Sequence, residues 1–425
     1  MRDEPHFLTF QKENQSAVVV VYSRPSMPSH QKKRSSPKKL AKQQQPKMTY
    51  TAQQLAEAAD QAMHMQDPTQ ALNLYTAAVV QATEQALQVD ILEKRAAVKV
   101  SLADQDGALE DYKAALHLLP PQPTDVNDLE RKAGLFMYMG QLSQGEEALI
   151  VYRQALELLE KALPLRQDDP KALAETRQQL ATACCTTAEL FLTDLCFEEN
   201  AEQDCESYIQ QALKLLDSDG EPIVDALQTC ASLKLSQNKG LEATDYILRA
   251  FAKIRVGCES LAALVEMRES ENPDEATELL ETEAVQKLPG FEFRCQTAKL
   301  LMECASVQET SDADDHTERR TQCLRAAVDV LGSLMAENDE VVEVWALAGD
   351  AFNFLEPSAP NAAHYWERAV EMLTSVKGSL EEQRDETEDD EEEDELNQEL
   401  EEVLGQLESL QEKLSKVNKD TVDEE

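Results

Sequence analysis

The sequence predicts an all-α fold assembled from repeated helix pairs, and three observations carry that prediction. Of the 425 residues, 42% are apolar, with only 12 Gly and 16 Pro. Ala, Leu, Gln and Glu dominate, a balance that favours helix over strand. A small residue, a large apolar one and another small one also recur four and three apart, as in Ala71, Tyr75 and Ala78. The third observation is the segment from Val224 to Ala250. There Leu227, Cys230 and Ala231 fall three and one apart on a first helix, Gln237-Asn238-Lys239-Gly240 forms a turn, and Ala243, Ile247 and Ala250 share one face of a second. Small residues flanking a large one let two antiparallel helices approach closely. One pair cannot bury its apolar face alone, so it needs stacked neighbours. About seven pairs in series predict a tetratricopeptide-repeat right-handed superhelix.

Residues 1–50 stand apart, with ten Lys/Arg against three Asp/Glu. They are expected to form a disordered basic N-terminal tail. The run Lys32-Lys33-Arg34-Ser35-Ser36-Pro37-Lys38-Lys39 has the composition of a nuclear-import signal; a solvated tail with no such role is the alternative. Met48 opens a conventional helical segment and is a second candidate start. The repeats are expected over 51–377. After the triad at Ala71 come Ala108, Tyr112 and Ala115, closed by Pro120, and then Ala148, Tyr152 and Ala155. Their leading alanines lie 37 and 40 apart, near the 34-residue period of such repeats with short insertions in the turns.

Asp169-Pro170 begins a new helix, expected to run from Lys171 to about Leu195. Cys205, Ile209 and Ala212 close the fourth pair, and Ala243, Ile247 and Ala250 the fifth. Residues 256–290 are less regular, broken at Glu271-Asn272-Pro273 and Pro289-Gly290. Phe291 to Cys304 and Glu318 to Met335 form a degenerate sixth pair. The seventh sets Trp345, Ala348, Gly349 and Phe352 on its first helix and Ala362, Trp366 and Ala369 on its second, with both tryptophans in the core.

From Glu381 to Glu395, 12 of 15 side chains are acidic, so 378–395 is expected to be a disordered acidic segment. Beyond it Leu396, Leu400, Val403, Leu407, Leu410, Leu414 and Val417 alternate four and three apart, a heptad seam on one helix over 396–418. That helix is expected to cap the exposed end of the stack rather than to form a coiled coil.

The formal charge is −42, from 40 basic and 82 acidic side chains. The N-terminal 50 residues contribute +7 and the tail from Ser379 contributes −17, leaving −32 on the body between them. That sign opposes direct binding to nucleic acid or an anionic membrane and favours a strongly basic partner. Apolar Ala17 to Tyr22 is far shorter than the roughly 20 residues that span a bilayer, and no secretory signal is recognisable. Nine cysteines at spacings that match no metal site point to a reducing compartment, cytoplasm or nucleus. Adjacent Cys184 and Cys185 project about 100° apart on a helix and suit a buried core better than a disulfide. There is no glycine-rich phosphate loop, HExxH or GxSxG, so neither catalysis nor a cofactor or metal is expected.

In a stack of this kind the first helix of each pair lines a groove. Aligning the units places Asp90, Glu93, Asp194, Glu198, Asp225, Glu343 and Asp350 there, an acidic lining for an extended cationic segment. Solvated carboxylates with no ligand are the bland alternative. A heat-shock co-chaperone would need cationic and amide side chains to hold a C-terminal carboxylate. The aligned positions are Ala56, Asp60, Asp90 and Glu93, the wrong sign. The acidic block alone would also suit a histone chaperone, on the least specific of these features.

Ala188-Glu189-Leu190-Phe191-Leu192-Thr193-Asp194-Leu195-Cys196-Phe197-Glu198, then Ala201-Glu202 and Cys205-Glu206, resemble segments of a known family, as do Asp225-Ala226-Leu227-Gln228-Thr229-Cys230-Ala231 and Ser232 to Gln237. Glu343-Val344-Trp345-Ala346-Leu347-Ala348-Gly349 and Tyr365-Trp366-Glu367-Arg368-Ala369 continue it. With the acidic block and the terminal heptad helix, about 172–417 is similar to the dedicated assembly chaperones of the large-subunit ribosomal protein L-four. The earlier repeats match only as generic units, and 1–47 not at all. The resemblance implies a protein that binds the basic loop of newly made L-four and keeps it soluble. It would accompany L-four towards the nucleus, where an import receptor is an expected partner, and release it at the pre-ribosome.

Overall fold

The computed structural model describes residues 50–268, 282–307, 313–356, 360–387 and 390–423. The basic N-terminal stretch, its Lys/Arg run and Met48 lie outside the described residues. Sixteen α-helices are described: α1 Ala52–His64, α2 Pro68–Gln81, α3 Gln85–Ser101, α4 Gln105–Leu118, α5 Val126–Gln141, α6 Gly145–Ala162, α7 Pro170–Leu190 and α8 Ala201–Ala212; then α9 Val224–Ser236, α10 Gly240–Arg268, α11 Glu283–Gln286, α12 Phe291–Ser306, α13 Ala313–Glu337, α14 Val342–Leu355, α15 Pro360–Glu386 and α16 Asp390–Asp423. A 3-10 turn, Leu163–Arg166, follows α6. Among the described residues there is no strand, only an isolated bridge between Leu216 and Pro222.

Local chemistry sets the helix starts. Thr51 and Gln54 form a reciprocal capping box on α1. Asp67, Asp104, Asp125 and Asp169 each accept backbone N–H groups at the starts of α2, α4, α5 and α7. Pro68 and Pro170 occupy first-turn positions, where the missing N–H costs nothing. The turns between first and second helices are three residues long at 65–67, 102–104, 142–144 and 237–239. Such tight reversals use a left-handed residue, found within three of the turns at Gln66 (φ 58°), Ala103 (φ 62°) and Asn238 (φ 57°), and just after the fourth at Gly145 (φ 55°), the first residue of α6.

The small-large-small triads make the inter-helix contacts. Ala71, Tyr75 and Ala78 are buried, as are the triads centred on Tyr112, Tyr152, Ile209, Ile247 and Trp366. At two pairs the first helix carries glycine where the aromatic ring arrives. A Cβ on Gly140 would collide with Tyr152, and one on Gly349 with the indole of Trp366.

By contact the chain falls into two compact units, divided at Thr229 and Cys230 within α9. In the first, α1/α2, α3/α4, α5/α6 and α7/α8 are antiparallel pairs, each packed on the next. One core joins α1 and α2 to Ile91 and Val98 of α3, and a larger one runs through Leu92, Phe136, Leu159 and Leu180 to Ala226. In the second unit α13 packs on both α12 and α10, α14 pairs with α15, and α16 lies along α15. The first unit is thus four stacked helix pairs of tetratricopeptide type, and in the second the pairs α12/α13 and α14/α15 stack between α10 and α16.

Three boundaries and one repeat triad differ from the sequence reading. Helix α7 stops at Leu190 rather than near Leu195. Leu195 N–H returns to the carbonyl of Leu190 at 2.8 Å, and 191–197 are turns. Helix α10 continues through 256 to Arg268 because Ile254, Cys258 and Leu261 extend its buried stripe. The degenerate sixth pair has a triad of its own, Cys323, Ala327 and Val330, each wholly buried. It escapes notice because its central residue is small. In the acidic segment, 378–386 are helical as the end of α15 and α16 begins at Asp390. The segment coils there because Leu380 is buried against the α16 seam and Lys377 pairs with Glu381 at 3.4 Å.

Candidate functional site

The first helices of successive pairs are joined by polar rungs. Lys94 of α3 donates to both oxygens of Asp60 on α1 at 2.9 and 2.8 Å. Arg131 of α5 forks onto Glu93 of α3 at 2.9 and 3.0 Å and also reaches Asp90. Glu130, on the next position of α5, accepts from Thr176 of α7 at 2.5 Å and from Arg166. Asp225 of α9 accepts from Gln178 and Thr182 of α7 at 3.0 and 2.6 Å, and Thr229 donates to Glu189 at 3.2 Å. In the second unit Lys299 of α12 pairs with Glu343 of α14 at 2.6 Å, and Lys413 of α16 pairs with Asp350 of α14 at 2.7 and 2.9 Å.

Five of the seven expected lining residues, Asp90, Glu93, Asp225, Glu343 and Asp350, therefore lie on first helices. Each has a partner on a neighbouring helix. Asp194 and Glu198 do not lie on a helix; both are in the connection 191–200, because α7 ends early. Asp194 accepts the N–H of Gly145 at 3.0 Å and supplies the cap that Gln144 does not give α6. Glu198 is exposed.

The repeat alignment places Asp60 on the groove face without pairing it, and it does not single out Glu130 or Glu189. A signal for them exists: rung partners stand 34, 38, 46, 47 and 40 residues apart, close to one repeat. A carboxylate and a donor about one repeat apart, in either order, mark the contact.

The surroundings set the charge states. Burial alone would raise the Asp60 carboxyl, but hydrogen bonds from Lys94 and Tyr75 hold it below its usual value. Glu130 is lowered chiefly by its bond from Arg166. Glu189 keeps solvent access, yet the protein crowded around it pushes its carboxyl up to about 6, against the bond from Thr229 and with a further push from Asp225. Burial likewise raises the Tyr152 hydroxyl to about 12, with Glu189 and Asp194 adding to the effect. Around Glu189, Asp194 and Asp225 negative charge therefore accumulates, an environment better suited to cations than to anions.

Cys184 and Cys185 are both buried and unpaired, and burial raises the Cys184 thiol to about 12. Among the described residues, no group of three or more His, Cys, Asp or Glu could hold a metal ion, and no helix is long and apolar enough to cross a membrane.

No protein-family model matches the chain. A curated protein of Schizosaccharomyces pombe named "Probable assembly chaperone of rpl4" is 28% identical over 215 residues, 50% of this chain and 50% of that protein. The chain thus matches about half the length of that curated relative. A solved structure of residues 1–338 of an assembly chaperone of RpL4 is 22% identical, with a TM-score of 0.48, covering 72% of this chain and 97% of that one. The C-terminal part of a TPR repeat-containing protein from Cytophaga hutchinsonii is 12% identical, with a TM-score of 0.31, covering 74% of this chain and 94% of that one.

Proposed function

We propose that the chain is a dedicated, non-catalytic chaperone of the basic large-subunit ribosomal protein L-four. The observation that carries this reading is the 215-residue match to a protein of that name. The charge supports it independently. A helical body of formal charge −32 repels itself, and a Lys/Arg-rich client relieves that repulsion as it docks. Cationic segments of the client dock on the first-helix faces of each unit by itself: at Asp90, Glu93 and Asp225, with Asp194 and Glu198 nearby in the chain, in the first, and at Glu343 and Asp350 in the second. Asp90, Glu93, Asp194, Asp225, Glu343 and Asp350 already have partners within the chain, and Glu198 is exposed. The client therefore adds to carboxylates that are already bonded rather than filling vacant ones, and each contact is individually weak.

Many weak charge contacts give fast association that loosens with salt. Release follows when ribosomal RNA, a denser polyanion, competes for the same cations at the pre-ribosome. The route runs from cytoplasm to nucleus with an import receptor. The test is co-purification of the full chain with L-four and, separately, with core histones. The expected result is an L-four complex retained at low salt and progressively lost as salt rises. Failure to retain L-four at low salt, or equal retention of histones, overturns the reading.

A further inference from the structure

The connection between α7 and α8 is an elaboration that stacking does not require. Four other pairs turn from first to second helix in three residues, at 65–67, 102–104, 142–144 and 237–239, whereas this one takes ten, 191–200. Its backbone is held rather than loose. Phe191 is buried and stacks on Tyr208 with ring centroids 6.1 Å apart. Leu195 is buried and lies against the turn at Gly145. Asp194 fixes the same turn by accepting the Gly145 N–H. Between these anchors and α8 stands Phe197, 86% exposed, the most exposed large apolar side chain among the described residues. Glu198 and Glu199 follow it, both exposed.

Leaving an aromatic ring in water forgoes the roughly 2 kcal/mol that its burial would contribute. A ten-residue connection anchored at three points that leaves this ring exposed is a display device. The flanking carboxylates say what the ring meets. A cation over the face of an aromatic ring is attracted by the ring's quadrupole, and a guanidinium does this while its edge donates to a carboxylate.

We propose that Phe197, Glu198 and Glu199 form an arginine-binding post at the turn edge of the first unit: an arginine of the basic client stacks on Phe197 and pairs with the two carboxylates. This rests on the proposed function for the identity of the client, but its chemistry stands on the loop alone. The post lies off the first-helix rungs. It gives the complex one geometrically specific contact among many diffuse ones, and lysine would satisfy it less well.

The test compares Phe197→Ala, Phe197→Leu and Glu198→Gln/Glu199→Gln with the parent chain, titrating L-four by calorimetry. Because the ring is exposed, all three variants should keep the parent melting temperature. Phe197→Ala should weaken binding about fivefold or more, and Phe197→Leu, which keeps apolar area but loses the π face, nearly as much. The double Gln variant should flatten the salt dependence. A parent chain that binds L-four while Phe197→Ala binds within twofold of it overturns the post and leaves the proposed function intact. If the parent chain does not bind L-four, Phe197→Trp is titrated with nona-arginine. A change in emission absent from the parent chain then upholds the post, and none overturns it.

Discussion

Replacing Arg131 with Met separates the two roles that the first-helix carboxylates have been given. Arg131 ties α5 to α3 through two bonds to Glu93, at 2.9 and 3.0 Å, and a third to Asp90. Its side chain is 29% exposed, Glu93 28% and Asp90 54%, so the pairs are screened by solvent and each is worth about 0.5–1 kcal/mol. Met keeps the length of the stem but not the fork, so the loss should be about 1–2 kcal/mol. For a unit of this size that is a drop of roughly 2–8 °C in its melting temperature. The same change raises the local charge from −1 to −2, counting Asp90, Glu93 and Arg131. A client cation about 5 Å away in water gains about 0.8 kcal/mol, or roughly fourfold in affinity at low salt. Differential scanning fluorimetry and calorimetric titration with L-four read the two quantities. An unchanged melting temperature would show that the rung does not stitch the repeats. Weaker binding would show that Arg131, not the carboxylates, meets the client.

Other outcomes follow from single positions. Gly349→Ala should cost about 1–3 kcal/mol in denaturant unfolding, because its Cβ collides with the buried indole of Trp366. Ala103→Gly should stabilise by roughly 0.5–1 kcal/mol in the same assay, since Ala103 sits at φ 62°, a conformation that disfavours any Cβ. Glu189 is raised to about 6 by crowding, so its folded form holds a proton that the unfolded chain has lost between its ordinary range and pH 6. Its contribution to stability therefore falls as pH rises through that window and is flat above it. Glu189→Gln should raise the melting temperature at pH 7.5 and change it little at pH 4.5; an equal gain at both would refute the assignment.

The helix pairs were legible because each triad carries two small residues and one large one at helical spacing, from Ala71-Tyr75-Ala78 to Ala362-Trp366-Ala369. The pattern fails where the large residue moves off the central position, as at Ala327, whose bulk is supplied instead by its neighbours Leu324 and Leu331. The end of α7 was not legible, since Leu190 to Cys196 keep apolar residues at plausible helical spacing. Its cause is tertiary: Asp194 is drawn to the Gly145 turn, 49 residues earlier. For the same reason the sequence named the helices that carry Asp90, Glu93, Asp225, Glu343 and Asp350 but not their partners. Periodicity within one helix shows which face a carboxylate occupies, while the donor opposite it arrives from a helix one repeat away.

Helix α16 lies on the last pair with Leu396, Leu400, Val403, Leu407 and Leu410 buried, and Lys413 reaches Asp350 as a further first helix would. A stack of repeats is by nature open-ended, and an uncovered terminal layer is a surface onto which another copy could add head to tail. With its leucines already turned inward, α16 removes that adhesive end, so fibre growth through this end of the second unit is blocked by the chain's own final turns of helix.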